Sequence, residues 1–216
     1  MSVVITKTQA KNLWIEAQGL NQKAPFGLGA KATTKAIKHL GYVQIDTISV
    51  IERCHHHILY SRIPNYKAEH LHAAQTKEKT VFEYWTHALA YIPTRDFKFF
   101  LPIMKKTIAE PNRWFQSVQK EEMKKVLTLI KKNGAISIRD IQDDVLVEKE
   151  HEWASRKPSK KALQYGFHCG QLVISERIGM LKKYELVDRH FDWDQKPKAA
   201  TEKECNAYLL DRALKS

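Results

Sequence analysis

Apolar positions along the chain alternate between helical and strand rhythms. In TKTQAKNLWIEAQG, Ala10, Leu13, Trp14 and Ala17 recur at helical spacing, and Gly19 stands where such a helix would end. A loop with glycines and a proline, NQKAPFGLGA, leads to TTKAIKHLG, which puts Ala36, Ile37 and Leu40 on one helical face and closes with Gly41. Residues 42–48 then switch to strand alternation, and HHILYSRIP is expected to be the partner strand. The aromatic stretch FEYWTHALAYIPTRDFKFFLPIMKKTI offers Thr94 as the cap of a helix carrying Phe97, Phe100, Leu101, Met104 and Ile108 on one side. Phe99 falls outside that stripe, and Pro102 should kink or shorten the helix. Most of these aromatics read as packing residues.

The second half begins the pattern again. QKEEMKKVLTLIKKNG carries Met123, Val126, Leu127 and Ile130 as a stripe ended by Asn133 and Gly134. ISIRDIQDD predicts a short helix with Ser137 as its cap and Asp140 three residues on. After the charged loop VEKEHEWASRKPSK, Ser159 is expected to cap a third helix over KKALQYGFHCGQLVIS, and SERIGMLKKYELVDR reads as two strands around Ile178-Gly179-Met180. Three helices followed by a hairpin is the order of a winged helix-turn-helix, and residues 6–62 read as a less regular copy. The expected fold is mainly α with small β-hairpins (α+β) in tandem winged-helix units. Residues 1–116 would form the first unit with an aromatic helical linker, 117–190 the second, and 191–216 a charged C-terminal segment.

Charge adds a partner to this picture. With 36 Lys and Arg against 24 Asp and Glu, the net charge of +12 favours a polyanion, nucleic acid before membrane. Lys157, Lys160 and Lys161 fall at the start of the third helix, and Lys182 and Lys183 on the hairpin, where helix-turn-helix proteins touch DNA. The alternative is that these lysines are solvated surface, since many winged helices only pack against proteins. The three cysteines, Cys54, Cys169 and Cys205, are scattered and form no disulfide framework, which points to a reducing, cytoplasmic setting. No signal peptide and no apolar run long enough to span a membrane is read.

Candidate chemistry concentrates in GYVQIDTISVIERCHHH. On a strand Val43, Ile45 and Thr47 share one face and Gln44, Asp46 and Ile48 the other, with the Gln44 and Asp46 α-carbons roughly 6.6 Å apart. A carboxylate can orient a water or stabilise a cationic transition state, and an amide beside it can fix that water. The same spacing equally describes the polar side of a half-exposed strand. Cys54, His55, His56 and His57 are all zinc-ligand types, but on an extended chain only alternate side chains face the same way, and no CxxC or HExxH completes a site. No metal is therefore expected. His55 and His57, with Arg53 and Arg62 flanking, are candidate DNA contacts, as are Lys160, Lys161 and Lys182.

LGYVQIDTISVIERCHHHILYSRIPNY (40–66) followed by FEYWTHALAYIP (82–93) resembles the YcaQ/AlkZ-like family of bacterial winged-helix DNA glycosylases, and in particular the YcaQ branch, whose glutamine–apolar–aspartate motif is here Gln44-Ile45-Asp46. The resemblance is strong over 40–93 and looser over the second unit. It implies tandem winged helices presenting a basic concave surface to double-stranded DNA. It also implies excision of N7-alkylated guanine, including interstrand crosslinks, without a cofactor, by a monomeric, monofunctional glycosylase whose catalytic pair is Gln44 and Asp46. Members of the family are typically nearly twice this length, so the resemblance also implies that a C-terminal part is missing. The competing readings are a non-catalytic winged-helix DNA-binding regulator and a zinc-dependent hydrolase around Cys54–His57.

Overall fold

The computed structural model describes residues 3–46, 48–143, 146–148 and 155–215. The expected α+β class is what it shows: helices joined by small antiparallel sheets. Contacts group the chain into two compact units, one reaching to Asp96 and rejoined by the residues from Glu202 onward, the other Phe97–Thr201. This differs from the three consecutive segments expected, because the last helix packs back on the first unit.

In the first unit α1 (Lys7–Ala17) starts from a capping box in which Thr6 and Gln9 satisfy each other's orphan groups. Its apolar stripe is not core: no α1 residue is buried, and Leu13 and Trp14 are exposed. The core begins with α2 (Gly29–Leu40), which buries Ala36, Ile37 and Leu40 as its spacing predicts. Next comes β1 (Val43–Gln44), far shorter than the strand expected over 42–48. The expected partner strand does not exist. Residues 54–60 form a helix, α3 (Cys54–Tyr60), followed by α4 (Ala68–Thr76). The helix wins because it puts His55 and Leu59, four residues apart, on one buried face, with Ile63 just beyond the helix end also buried. The partner of β1 is instead β3 (Leu89–Pro93), which forms a hairpin with β2 (Val81–Trp85) and gives the order β1-β3-β2, all antiparallel. That hairpin lies in the aromatic stretch, where Phe82, Tyr84 and Tyr91 are buried.

In the second unit a 3-10 turn (Thr94–Phe99) enters from the first and leads to α5 (Leu101–Ala109). Pro102 sits in the first turn of α5, so the helix expected from Thr94 is split there. Then come α6 (Lys120–Asn133) and a single 3-10 turn (Ile138–Asp140) in place of the expected short α-helix, with the Ser137–Asp140 capping box formed. The third helix, α7 (Pro158–His168), is capped from Lys157 and not by Ser159, whose hydroxyl is buried 2.6 Å from Asp143 Oδ2. It also ends earlier than expected. QLVIS belongs to β4 (Leu172–Ile178), paired with β5 (Leu181–Leu186) through a turn at Gly179-Met180. A short α8 (Val187–Phe191) follows. The stretch 149–154 of the charged loop VEKEHEWASRKPSK lies outside the described residues.

The two units repeat one plan. Each has a helix (α2, α6), a short antiparallel bridge, a short helical segment (α3, the 3-10 turn Ile138–Asp140), a longer helix (α4, α7) and a hairpin. Gly41 and Gly134 close the first helices at φ +82° and +83°, and two residues later Val43 pairs with Tyr91 and Ile136 with Tyr184. An arginine caps each first helix. Arg189 donates to the carbonyls of Ile130 and Lys131 at the end of α6. In the first unit the corresponding arginine comes from α9 (Glu202–Lys215), where Arg212 donates to the Lys38 and His39 carbonyls, each at 3.2 Å, and Tyr208 adds a bond to Asp96.

A Cβ on Gly41 would land on the Arg212 guanidinium, whereas one on Gly134 meets open space. Gly41→Ala should therefore destabilise by about 1–3 kcal/mol from its left-handed backbone, and by more than Gly134→Ala because it also displaces the cap. Urea midpoints measured in the Arg212→Ala background should show that excess disappear.

Candidate active site and DNA surface

Val43 and Ile45 are buried in the core of the first unit with Ile37, Leu59 and Leu71, and burying each aliphatic side chain stabilises by roughly 1.5–3 kcal/mol. Ile45 N–H continues the ladder to the Leu89 carbonyl at 2.8 Å. With 43 and 45 pointing inward, Gln44 and Asp46 point the other way and are half-buried. Thr47, expected to share the face of Val43 and Ile45, lies outside the described residues.

The Asp46 carboxylate accepts the Ile48 N–H through Oδ1 at 2.9 Å, a turn that bends the chain away from the sheet. Among the described residues neither Asp46 Oδ2 nor the Gln44 side-chain amide has a hydrogen-bond partner. Among the described residues, then, both are open to a water or a substrate atom. Cys54, at the start of α3, ties that helix to the strand by donating its thiol to the Gln44 carbonyl at 3.6 Å. Desolvation first, and then the Asp46 charge, push the thiol pKa up, so it stays protonated in this donor role.

The loop between Asp46 and α3 is a tight turn, with Ser49 bridging to Arg53 and Glu52 accepting the Arg53 N–H at 2.8 Å. That hydrogen bond is the main reason the Glu52 pKa is lowered. His57 Nε2 lies 3.0 Å from the Glu52 carbonyl oxygen, which fixes the far end of the turn to the helix.

The predicted DNA contacts fare unequally. Arg53 is half-buried and His57 exposed, both on the turn side of α3. His55 is buried, its ring against His56 at 4.3 Å and Tyr91 at 5.8 Å, so it packs inside the unit. Arg62 is also buried and holds the chain together: its Nε donates to the Gln18 carbonyl and its Nη1 to the Ile58 carbonyl. Neither residue presents its polar end to a polyanion. The reason is the helix at 54–60, which turns alternate histidines to different depths instead of lining them along one strand face. In the second unit Lys160 is exposed at the start of α7. Lys161 reaches Ser117 at 2.7 Å and lies over the Trp114 ring, and Lys182, on β5, lies over Phe167.

Among the described residues no three His, Cys, Asp or Glu side chains gather as a metal ion would require, and no helix is long and apolar enough to cross a membrane. Sequence reasoning placed Ile48 on the strand face of Gln44 and Asp46 and did not single out Val50 and Ile51, because an apolar stretch next to a strand reads as more strand.

Gln44 and Asp46 thus lie half-buried beside a sheet edge, with Arg53 and His57 on the turn that follows. The family model described as AlkZ-like DNA glycosylase matches residues 37–216, and the chain belongs to that family, whose members act in DNA repair as DNA-binding hydrolases. No solved structure matches it.

His56 links folding stability to pH. Its ring shares a 2.7 Å hydrogen bond with the Tyr66 hydroxyl, and desolvation lowers its pKa below the ordinary 6.5. His168 in the second unit is lowered for the same reason, with Lys182 adding to it. The unfolded chain therefore takes up protons first as pH falls, so this stability is complete above pH ~6.5 and declines below it. Urea midpoints at pH 7.5 and 5.5 should fall for the wild type and fall less for His56→Asn.

Proposed function

We propose that this protein hydrolyses the N-glycosidic bond of N7-alkylated guanine in double-stranded DNA, interstrand crosslinks included, with Asp46 and Gln44 as the catalytic pair. The observation that carries the reading is the pair itself, two half-buried polar side chains at and just past the end of β1 with no partner among the described residues at the Gln44 side chain or at Asp46 Oδ2, inside a chain of the AlkZ-like DNA glycosylase family. Alkylation at N7 makes guanine cationic, so the base leaves readily and needs little general-acid help. What remains is to place a water and to stabilise an oxocarbenium-like sugar as the bond to the base breaks. The Asp46 carboxylate supplies the negative charge nearest that sugar and accepts the water's proton, and the Gln44 amide holds the water by donating and accepting.

The repeated plan of the two units supports reading them as tandem winged helices. In that reading Lys160, Lys161 and Lys182 meet the phosphate backbone of the second unit's share of the duplex, and Arg53 and His57 meet it beside the lesion. An open strand edge also suits a base too bulky or too tethered to be flipped into a deep cavity.

The test is release of 7-methylguanine from methylated duplex DNA in single turnover. Asp46→Asn should slow release by at least about a hundredfold while affinity for the duplex is retained, and Gln44→Ala should slow it by a smaller factor. Undiminished release by Asp46→Asn would refute the assignment. Sequence-specific binding without release by the wild type would make the protein a DNA-binding regulator.

A further inference from the structure

The turn that follows Asp46 carries the most exposed apolar side chains near the candidate site. Ile48 is 71% exposed, Val50 92% and Ile51 88%, within four residues of each other. Single exposed aliphatics are ordinary on a protein surface, but three on one short turn are not. The turn is also preformed. Asp46 Oδ1 caps its first residue, Ser49 bridges to Arg53, and His57 holds the Glu52 carbonyl. Val50, Ile51 and Glu52 form the tip, and the Glu52 carboxylate is folded back on the Arg53 N–H with the guanidinium 4.0 Å away. β-Branched side chains are stiff at χ1, so ordering them on contact costs little entropy.

We propose that Val50 and Ile51 form a wedge that enters the base stack of DNA next to the lesion and partly unstacks it, bringing the glycosidic bond to Gln44 and Asp46. This rests on the function proposed above. Three features select DNA as the occupant over a protein partner. The tip begins only four residues after Asp46, so whatever Asp46 acts on is within reach of the wedge. The sides of the turn carry Arg53 and His57, suited to the phosphates on either side of an opened step. The chain as a whole carries +12, as a polyanion-binding protein should. Apolar wedges between base steps are a general means of kinking and unstacking a duplex, and a base that is not drawn into a deep pocket still has to be loosened from its neighbours.

Two readouts test the wedge, both with the full chain. The first is binding of a duplex with 2-aminopurine beside the position the enzyme engages, using Asp46→Asn so that no base is lost. Fluorescence should rise on binding, and the rise should be lost when Val50→Ser and Ile51→Ser are added. The second is single-turnover release of 7-methylguanine. The Val50→Ser/Ile51→Ser variant should be at least tenfold slower than wild type on paired duplex and within twofold of it on the same lesion in single-stranded DNA, where nothing needs unstacking. Because these side chains are solvent-exposed, the variant should unfold at the wild-type urea midpoint. Equal fluorescence with and without the tip residues, or equal release from duplex, overturns the wedge. An equal loss on duplex and single strand also overturns it, pointing to a direct role in the chemistry. If Asp46→Asn releases base as fast as wild type, the catalytic assignment falls, while the comparison of release from duplex and single strand, made with Asp46 intact, still decides the wedge.

Discussion

The candidate site depends on the burial of two side chains. Val43 and Ile45 go into the core of the first unit, and because side chains alternate along a strand this alone directs Gln44 and Asp46 outward. A slip of one residue would reverse all four, burying a carboxylate and an amide in exchange for two aliphatics, so the register is strongly fixed. The neighbouring contacts reinforce it: the Ile45 N–H bonds to Leu89, the Cys54 thiol bonds to the Gln44 carbonyl, and Arg212 caps the helix just before the strand. A strand of only two residues can hold this geometry because the core on one side and the hairpin beside it leave it no other position.

The internal repeat gives a second version of this position. LGYVQID in the first unit corresponds to NGAISIRD in the second: a glycine with positive φ, one spacer, then an apolar residue paired to a tyrosine. The residue after that apolar one is Gln44 in the first copy and Ser137 in the second. Ser137 is buried and consumed by a capping box with Asp140. Among the described residues the Gln44 side chain makes no such cap, and the helix that follows starts eight residues after Asp46, at Cys54. The turn bearing Ile48, Val50 and Ile51 fills the interval.

Much of this was legible in the sequence, and the failures have a common cause. The faces of α2 and α6, both closing glycines, the Ser137–Asp140 cap and the second hairpin follow from local rules of spacing and capping. The strand polarity at 43–46 also follows, because alternation is a local signal. What could not be read was which segment pairs with β1. HHILYSRIP and FEYWTHALAYIP both carry β-branched and aromatic residues, and only tertiary packing decides that the first becomes a helix and the second a hairpin. That decision moved His55 and Arg62 from expected DNA contacts into the interior, since their placement had assumed an extended chain. Ser159 failed for a similar reason: its hydroxyl found Asp143, sixteen residues away, before it could cap its own helix.

The charge of the chain divides along the same line. Arg62, Arg189 and Arg212 all bind carbonyl groups at helix ends, where a guanidinium offsets the negative end of the helix dipole and satisfies acceptors that would otherwise lack donors. These arginines hold the fold and contribute little directed charge to a ligand surface, so the residues that can meet phosphate are mainly the exposed lysines and the turn at Arg53 and His57. Gln44 and Asp46 are the reverse case. Among the described residues neither side chain holds a distant part of the chain, and the bond from Ile48 to Asp46 shapes only the turn itself. Replacing them should leave the fold nearly unchanged, as expected of residues positioned by a scaffold for work at its surface and not for holding it together.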